Sequence, residues 1–160
     1  MKERKITVRF AAEADLEQVN VIRKQIHELH HGRRPDFFKA EGWEVIKDTV
    51  KERIASESSS VVVALYENEI AGIAILQYIH QPESEFCPAR HFCHIEEFGV
   101  DEKYRRCGIA SALVDFIKED VKNRGLEKVE LDVYEFNENA LAFYEIAGFH
   151  AYRRYLELFP

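Results

Sequence analysis

The sequence predicts a mixed α/β protein: one sheet carrying helices on both faces. Three observations predict it. Two β-branched runs, Val61–Tyr66 and Ile70–Ile79, flank a short polar turn. Apolar residues recur at helical spacing around Ile22 and again around Leu113. From Phe92 onward, strand and helix signals alternate to Leu158.

Each element has its own signal. Ile6, Val8 and Phe10 alternate with polar residues and predict the first strand. Asp15 is placed to cap a helix of about 15 residues, with Leu16, Val19, Ile22, Ile26 and Leu29 on its apolar stripe. The segment Gly32-Arg33-Arg34-Pro35-Asp36 ends it, and a second helix is expected from Trp43 to Ile54. The two β-branched runs around Glu67-Asn68-Glu69 read as a hairpin, and another strand as Phe92–Val100. Gly108–Lys122 is helical, with Ile109, Leu113, Phe116, Ile117 and Val121 on one face. Val129, Leu131 and Val133 alternate in a strand reaching Tyr134. A short helix, Glu138–Ala147, is stopped by Gly148, and a last strand spans Phe149–Leu158. The expected order is β-α-α-β-β-β-α-β-α-β.

The length of 160 residues suits one domain, 1–160. With 46% apolar and 32% charged residues, the chain is expected to bury a core without disulfide or metal staples. A formal net charge of −7 argues against non-specific nucleic-acid binding. No apolar run approaches a membrane span. The cysteines, Cys87, Cys93 and Cys107, are odd in number, and the charged start Met1–Lys5 has no apolar run behind it. A reduced, cytoplasmic protein without membrane partners is expected.

The most informative stretch is Phe98-Gly99-Val100-Asp101-Glu102-Lys103-Tyr104-Arg105-Arg106-Cys107-Gly108-Ile109-Ala110. An apolar strand ends, a basic loop follows, and a glycine opens a long helix. A helix start exposes unpaired N–H groups and the positive end of the dipole, and glycine lets an anion approach them. The stretch is therefore either a diphosphate site or simply a helix that begins after a basic turn. It has neither the Gly-Lys-Ser/Thr of a Walker A loop nor the glycine spacing of a dinucleotide fingerprint.

Arg105-Arg106-Cys107-Gly108-Ile109-Ala110 resembles the signature Arg/Gln-x-x-Gly-x-Gly/Ala of the Gcn5-related N-acetyltransferase (GNAT) superfamily. A second stretch about thirty residues on, Asn137-Glu138-Asn139-Ala140-Leu141-Ala142-Phe143-Tyr144 through Gly148-Phe149, is similar to that family's Asn-x-x-Ala-x-x-Phe-Tyr-x-x-x-Gly-Phe motif. Detailed likeness covers about residues 94 to 149. The resemblance implies the GNAT fold with a splayed central cleft, and acetyl-CoA as co-substrate with no metal. It places the diphosphate on the amides of Arg105–Ala110 and the pantetheine arm along Phe98, Gly99 and Val100. Asn137, Asn139 and Ala140 would border that arm, and Tyr144 would aim its hydroxyl at the thioester sulfur. Read from the residues alone, Asn137 is a helix N-cap and Tyr144 core filler.

Acetyl transfer needs a deprotonated amine, a polarised carbonyl and a stabilised thiolate. Tyr144 would protonate the thiolate. For the base, strand alternation puts His94, Glu96, Phe98 and Val100 on one face and Glu97 on the other. Glu96 ranks first, Glu97 second and His94 third, and the resemblance implies that a bulge near the cleft could exchange the carboxylates. Water relay and a plain solvated strand edge stay open. The resemblance makes His31, Arg34, Asp36 and Phe37 candidates for acceptor contact, with His94 beside them. His27 and His31, at i and i+4, and the group Cys87, His91, Cys93 and His94 are weak metal candidates. Cys107 is an unusual residue for its loop, open to oxidation or simply a neutral substitution. The expected activity is transfer of acetyl to a primary amine, small-molecule or peptide, with a homodimer possible. The alternative is a regulatory module that binds acetyl-CoA without turnover.

Overall fold

The computed structural model describes residues 5–160. The charged run Met1–Arg4 lies outside the described residues. Strand β1 (Ile6–Phe10) leads through a 3-10 turn into α1 (Leu16–Arg33), then α2 (Trp43–Ile46) and α3 (Thr49–Ala55). The hairpin β2 (Ser59–Tyr66) and β3 (Glu69–Gln81) follows, then β4 (Arg90–Val100), α4 (Ile109–Asn123), β5 (Val129–Leu131) and α5 (Glu138–Ile146). Among the described residues the sheet runs β1-β2-β3-β4-β5. It is antiparallel except for the parallel β4–β5 pair.

The alternation of β2 explains the layering. Val61 and Val63 face one core with Val19 and Ile22 of α1 and Val50 of α3. Val62 and Ala64 face the other with Ile109, Leu113 and Ile117 of α4. Both faces are buried, which is why β2 and β3 read as near-continuous apolar runs. Glu67 and Asn68, both at positive φ, make the hairpin turn. Gly72 on β3 sets the height of α4: a Cβ there would stand 2.5 Å from Ile109 Cγ2 and 3.1 Å from Leu113 Cδ1.

Four expectations need correction. Asp15 does not cap α1; its carboxylate accepts from the Ala12 amide at 2.8 Å and pairs with Arg9. The second helix is broken at Lys47-Asp48, because α1 recruits the carbonyls at the break. Asn20 Nδ2 donates to Lys47 O at 3.0 Å, and Arg23 donates to Ile46 O at 3.2 Å. The fifth strand stops at Leu131 rather than Tyr134, since its neighbour β4 pairs with it only through Ile95. Finally, the last strand is not formed: residues 149–160 have no regular secondary structure. The three paired residues of β5 are too short to template a strand of that length.

Candidate functional site

The site is built where β4 and β5 part. They pair at Cys93↔Val129, His94↔Glu130 and Ile95↔Leu131, and nowhere beyond. From Glu96 to Val100, β4 keeps β3 on one edge and has no β5 residue on the other. That run ends at α4. Gly108 takes φ +84° at the N-cap, a left-handed value that glycine tolerates without strain. Among the described residues no side chain caps α4, and its first turn holds no carboxylate. The first-turn amides are therefore left for an anion. Arg105 and Arg106 are exposed beside them, Arg106 itself at φ +65°. Cys107 is half-buried, packs against the core on the α4 side, and its thiol donates to the Arg105 carbonyl at 3.7 Å.

α5 forms the far wall. Asn137 caps it, its side-chain oxygen accepting from the Ala140 amide at 3.3 Å, with Asn139 exposed in the first turn. Tyr144 packs edge-on to Phe98, ring centroids 5.9 Å apart, and against Phe149 at 5.5 Å. Burial pushes its phenol up to about 12, so it stays protonated and able to donate.

Two sequence comparisons and a structural one bear on this arrangement. Residues 24–149 match the acetyltransferase (GNAT) family. The chain belongs to that family. A glucosamine 6-phosphate N-acetyltransferase of Trypanosoma brucei brucei is 33% identical over 101 residues, which span 55% of this chain and 67% of that enzyme. The BH1408 protein of Bacillus halodurans, solved as a tetramutant, superposes with a TM-score of 0.90 at 28% identity, covering 95% of this chain and 98% of the other. The aminoglycoside N-acetyltransferase AAC(6')-Iy, solved with CoA, shares the fold at a TM-score of 0.78 and 16% identity, over 99% and 97% of the two chains. The protein is thus a GNAT acetyltransferase, and members of that family use acetyl-CoA.

In this GNAT chain the carboxylates on β4 are arranged by a bulge. Ile75 pairs with Glu97 and Leu76 with Ile95, leaving Glu96 as the extra residue. Regular alternation therefore fails, and His94 and Glu96 do not share a face with Phe98 and Val100. Phe98 and Val100 instead join Cys93 and Ile95 on the α4 side. Gly99 turns to α1, beneath Ile22 and Ile26. Glu97 also faces α1, and Arg23 clamps both its oxygens at 2.9 Å. Glu96 has one oxygen bonded to Arg53, also at 2.9 Å. His94 sits lower, on the paired part of β4, 3.7 Å from Asp132.

The α1–α2 loop closes over the end of β5. His30 stacks on Phe38 at 5.1 Å and lies against Tyr134 and Phe136 at 5.6 and 6.0 Å. Burial lowers the His30 pKa, helped by His27 and opposed by Glu97. Phe37, 66% exposed, lies 6.5 Å from Tyr134. Arg34 and Asp36 form a two-point pair within the loop, and Arg34 also holds Glu157 at 3.0 Å. His27 and His31 bond to the carbonyls of Lys39 and Phe38, anchoring the loop. Among the described residues no three potential metal ligands converge. Buried Cys93 and exposed Cys87 lie apart in environment, and burial pushes the Cys93 thiol up to about 12.

Sequence reading missed Arg23, Tyr134 and Phe136. Arg23 had a usable signal: it is a charged residue on the apolar stripe of α1, and such residues are buried only when paired. Tyr134 and Phe136 gave none, because they lie past the end of a strand, where periodicity stops.

Proposed function

We propose that the protein transfers the acetyl group of acetyl-CoA to a primary amine by direct attack within a ternary complex. One observation carries this reading. The run Glu96–Val100, open on its β5 side, leads through the loop 101–108 into a helix whose amino end no side chain caps. The outward backbone groups of that run suit the amide-bearing pantetheine arm, with Phe98, Gly99 and Val100 as its border. The amides of Arg105–Ala110 suit the diphosphate. When bound, acetyl-CoA supplies the activated acyl carbon.

The chain's own groups then have distinct tasks. Tyr144, held neutral by burial, gives its proton to the departing thiolate as the C–S bond breaks. Glu96, tied by one oxygen only, takes the ammonium proton through a water. Glu97 has both oxygens engaged by Arg23, so accepting a proton would break a two-point charged pair; it acts as an anchor. His30, Phe37, Phe38, Tyr134 and Phe136 wall the acceptor side, where ring faces attract a cationic amine. The relative's named substrate makes amino sugars the first acceptors to try.

The test measures thiol release from acetyl-CoA across amino sugars, polyamines and peptide amines. Release with at least one amine is expected. Acetyl-CoA binding without release for any class would favour a binding module. Gly108→Asp, which puts a carboxylate at the anion site, should weaken acetyl-CoA binding at least about tenfold. Unchanged affinity would refute the site.

A further inference from the structure

The β3–β4 hairpin ends, away from the cleft, in a cross-strand pair of histidines. His80 of β3 stands directly opposite His91 of β4. Their Nδ1 atoms are 2.8 Å apart and their ring centroids 5.0 Å. Strand alternation puts both on the α4 face of the sheet, in line with Tyr78 on β3 and Cys93 on β4. His80 is exposed and His91 half-buried, so the pair is open to solvent. The strand from His91 to Val100 is roughly 25–30 Å long, which separates the pair from the acetyl-transfer cleft.

His27 and His31 each spend a ring nitrogen on a carbonyl, and His94 lies 3.7 Å from Asp132. His80 and His91 instead turn a nitrogen toward each other. In the neutral pair one Nδ1–H donates to the other Nδ1. When that proton shifts to Nε2 of its own ring, both Nδ1 lone pairs meet at one point. At a metal–nitrogen bond of about 2.0–2.1 Å, two nitrogens stand about 2.8–3.0 Å apart at a right angle and about 3.3–3.4 Å apart at a tetrahedral angle. The separation of 2.8 Å matches the right angle, which suits copper(II) and nickel(II), and is short for tetrahedral zinc. On the same face Arg124, stacked over Tyr78 at 3.9 Å, is paired with Asp120 at 2.9 Å, which offsets its charge.

We infer that His80 and His91 form a two-imidazole chelate for a divalent transition-metal ion, with copper(II) bound most tightly and nickel(II) ahead of zinc(II). Water fills the remaining positions on the ion. Sequence order groups His91 with Cys87, Cys93 and His94, but Cys93 is buried in the core, and the partner that geometry supplies is across the hairpin. The ion joins β3 to β4 at the mouth of the 82–89 loop and closes that loop as a clip does. The inference does not depend on which amine is acetylated.

Nickel(II) and zinc(II) chlorides titrated into the full chain test this, and nickel(II) should bind more tightly. His80→Gln and His91→Gln each remove one arm of the chelate. Each should weaken nickel(II) binding on the order of 10²-fold while the circular dichroism spectrum is unchanged. Nickel(II) should raise the Tm of the wild type and not that of the double variant. Cys87→Ser removes the exposed thiol of the intervening loop and should bind nickel(II) as the wild type does. Copper(II) added to that variant should show electron paramagnetic resonance coupling to two imidazole nitrogens. Wild-type affinity in either histidine variant would overturn the inference, as would loss of the site in Cys87→Ser. So would tighter binding of zinc(II) than nickel(II), or a copper signal from oxygen or a single nitrogen.

Discussion

Replacing Arg23 by Met tests the tie between α1, the α2–α3 break and β4. The side chain is 3% exposed, and its donors are distributed over Glu97, Asn20, Thr49 and the carbonyls of Ile46 and Lys47. Met keeps the apolar stem and removes every donor. Stripping one partner from a buried ion pair costs about 3–5 kcal/mol. The Glu97 side chain is 30% exposed, so water recovers part of that, and about 3 kcal/mol is expected at the low end of the range. For a chain of this size each kcal/mol moves Tm by about 2–4 °C, so Tm should fall by about 6–12 °C. Urea unfolding of Arg23→Met, Glu97→Leu and the double variant closes a cycle, and coupling of about 1–3 kcal/mol is expected. A loss under about 1 kcal/mol, or strictly additive single effects, would show that the pair does not hold these elements together.

Other outcomes follow from the site and the core. Tyr144→Phe should lower kcat on the order of 10²-fold while leaving acetyl-CoA affinity unchanged. Burial raises this phenol to about 12, and the protonated form is the acid, so activity should not fall on the Tyr144 account until the pH approaches that value. A Tyr144-dependent fall near pH 9 would mean that the phenol is not shielded. Glu96→Gln should depress kcat/KM at neutral pH and recover at high pH, where solvent deprotonates the amine, whereas Glu97→Gln should lower Tm more than kcat/KM. Equal pH profiles for Glu96→Gln and wild type would remove Glu96 from the reaction. Gly72→Ala puts a Cβ 2.5 Å from Ile109, which should cost about 1–3 kcal/mol of stability and raise KM for acetyl-CoA as the start of α4 is displaced. An unchanged KM would show that the helix start can move without loss.

Parts of this were legible because local chemistry alone decides them. Gly108 and the basic residues before it mark a helix start, the period of Ile109, Leu113, Ile117 and Val121 marks the buried face, and Asn137 caps α5 as its residue type suggests. What was not legible depends on contacts distant in sequence. The carbonyls that split the second helix are claimed by Asn20 and Arg23, more than twenty residues away. The bulge at Glu96 follows from fitting β4 to β3; the family resemblance allowed for one, but the residue types of His94-Ile95-Glu96-Glu97 do not announce it. Residues 149–158 have the composition of a strand, but a strand needs a neighbour, and composition does not say where that neighbour is.

The extra residue in β4 also shifts the count along the strand. Ile95 and Phe98, three apart, reach the same layer, so each half of the strand keeps its own register with the helices that cover it. Removing one residue between them would restore simple alternation and still leave Phe98 and Val100 on the Ile95 face, because Ile95 and Phe98 would then stand two apart. The extra residue therefore leaves the facing of the strand unchanged. It fits two carboxylates, one held by Arg53 and one by Arg23, where a regular strand has room for one residue.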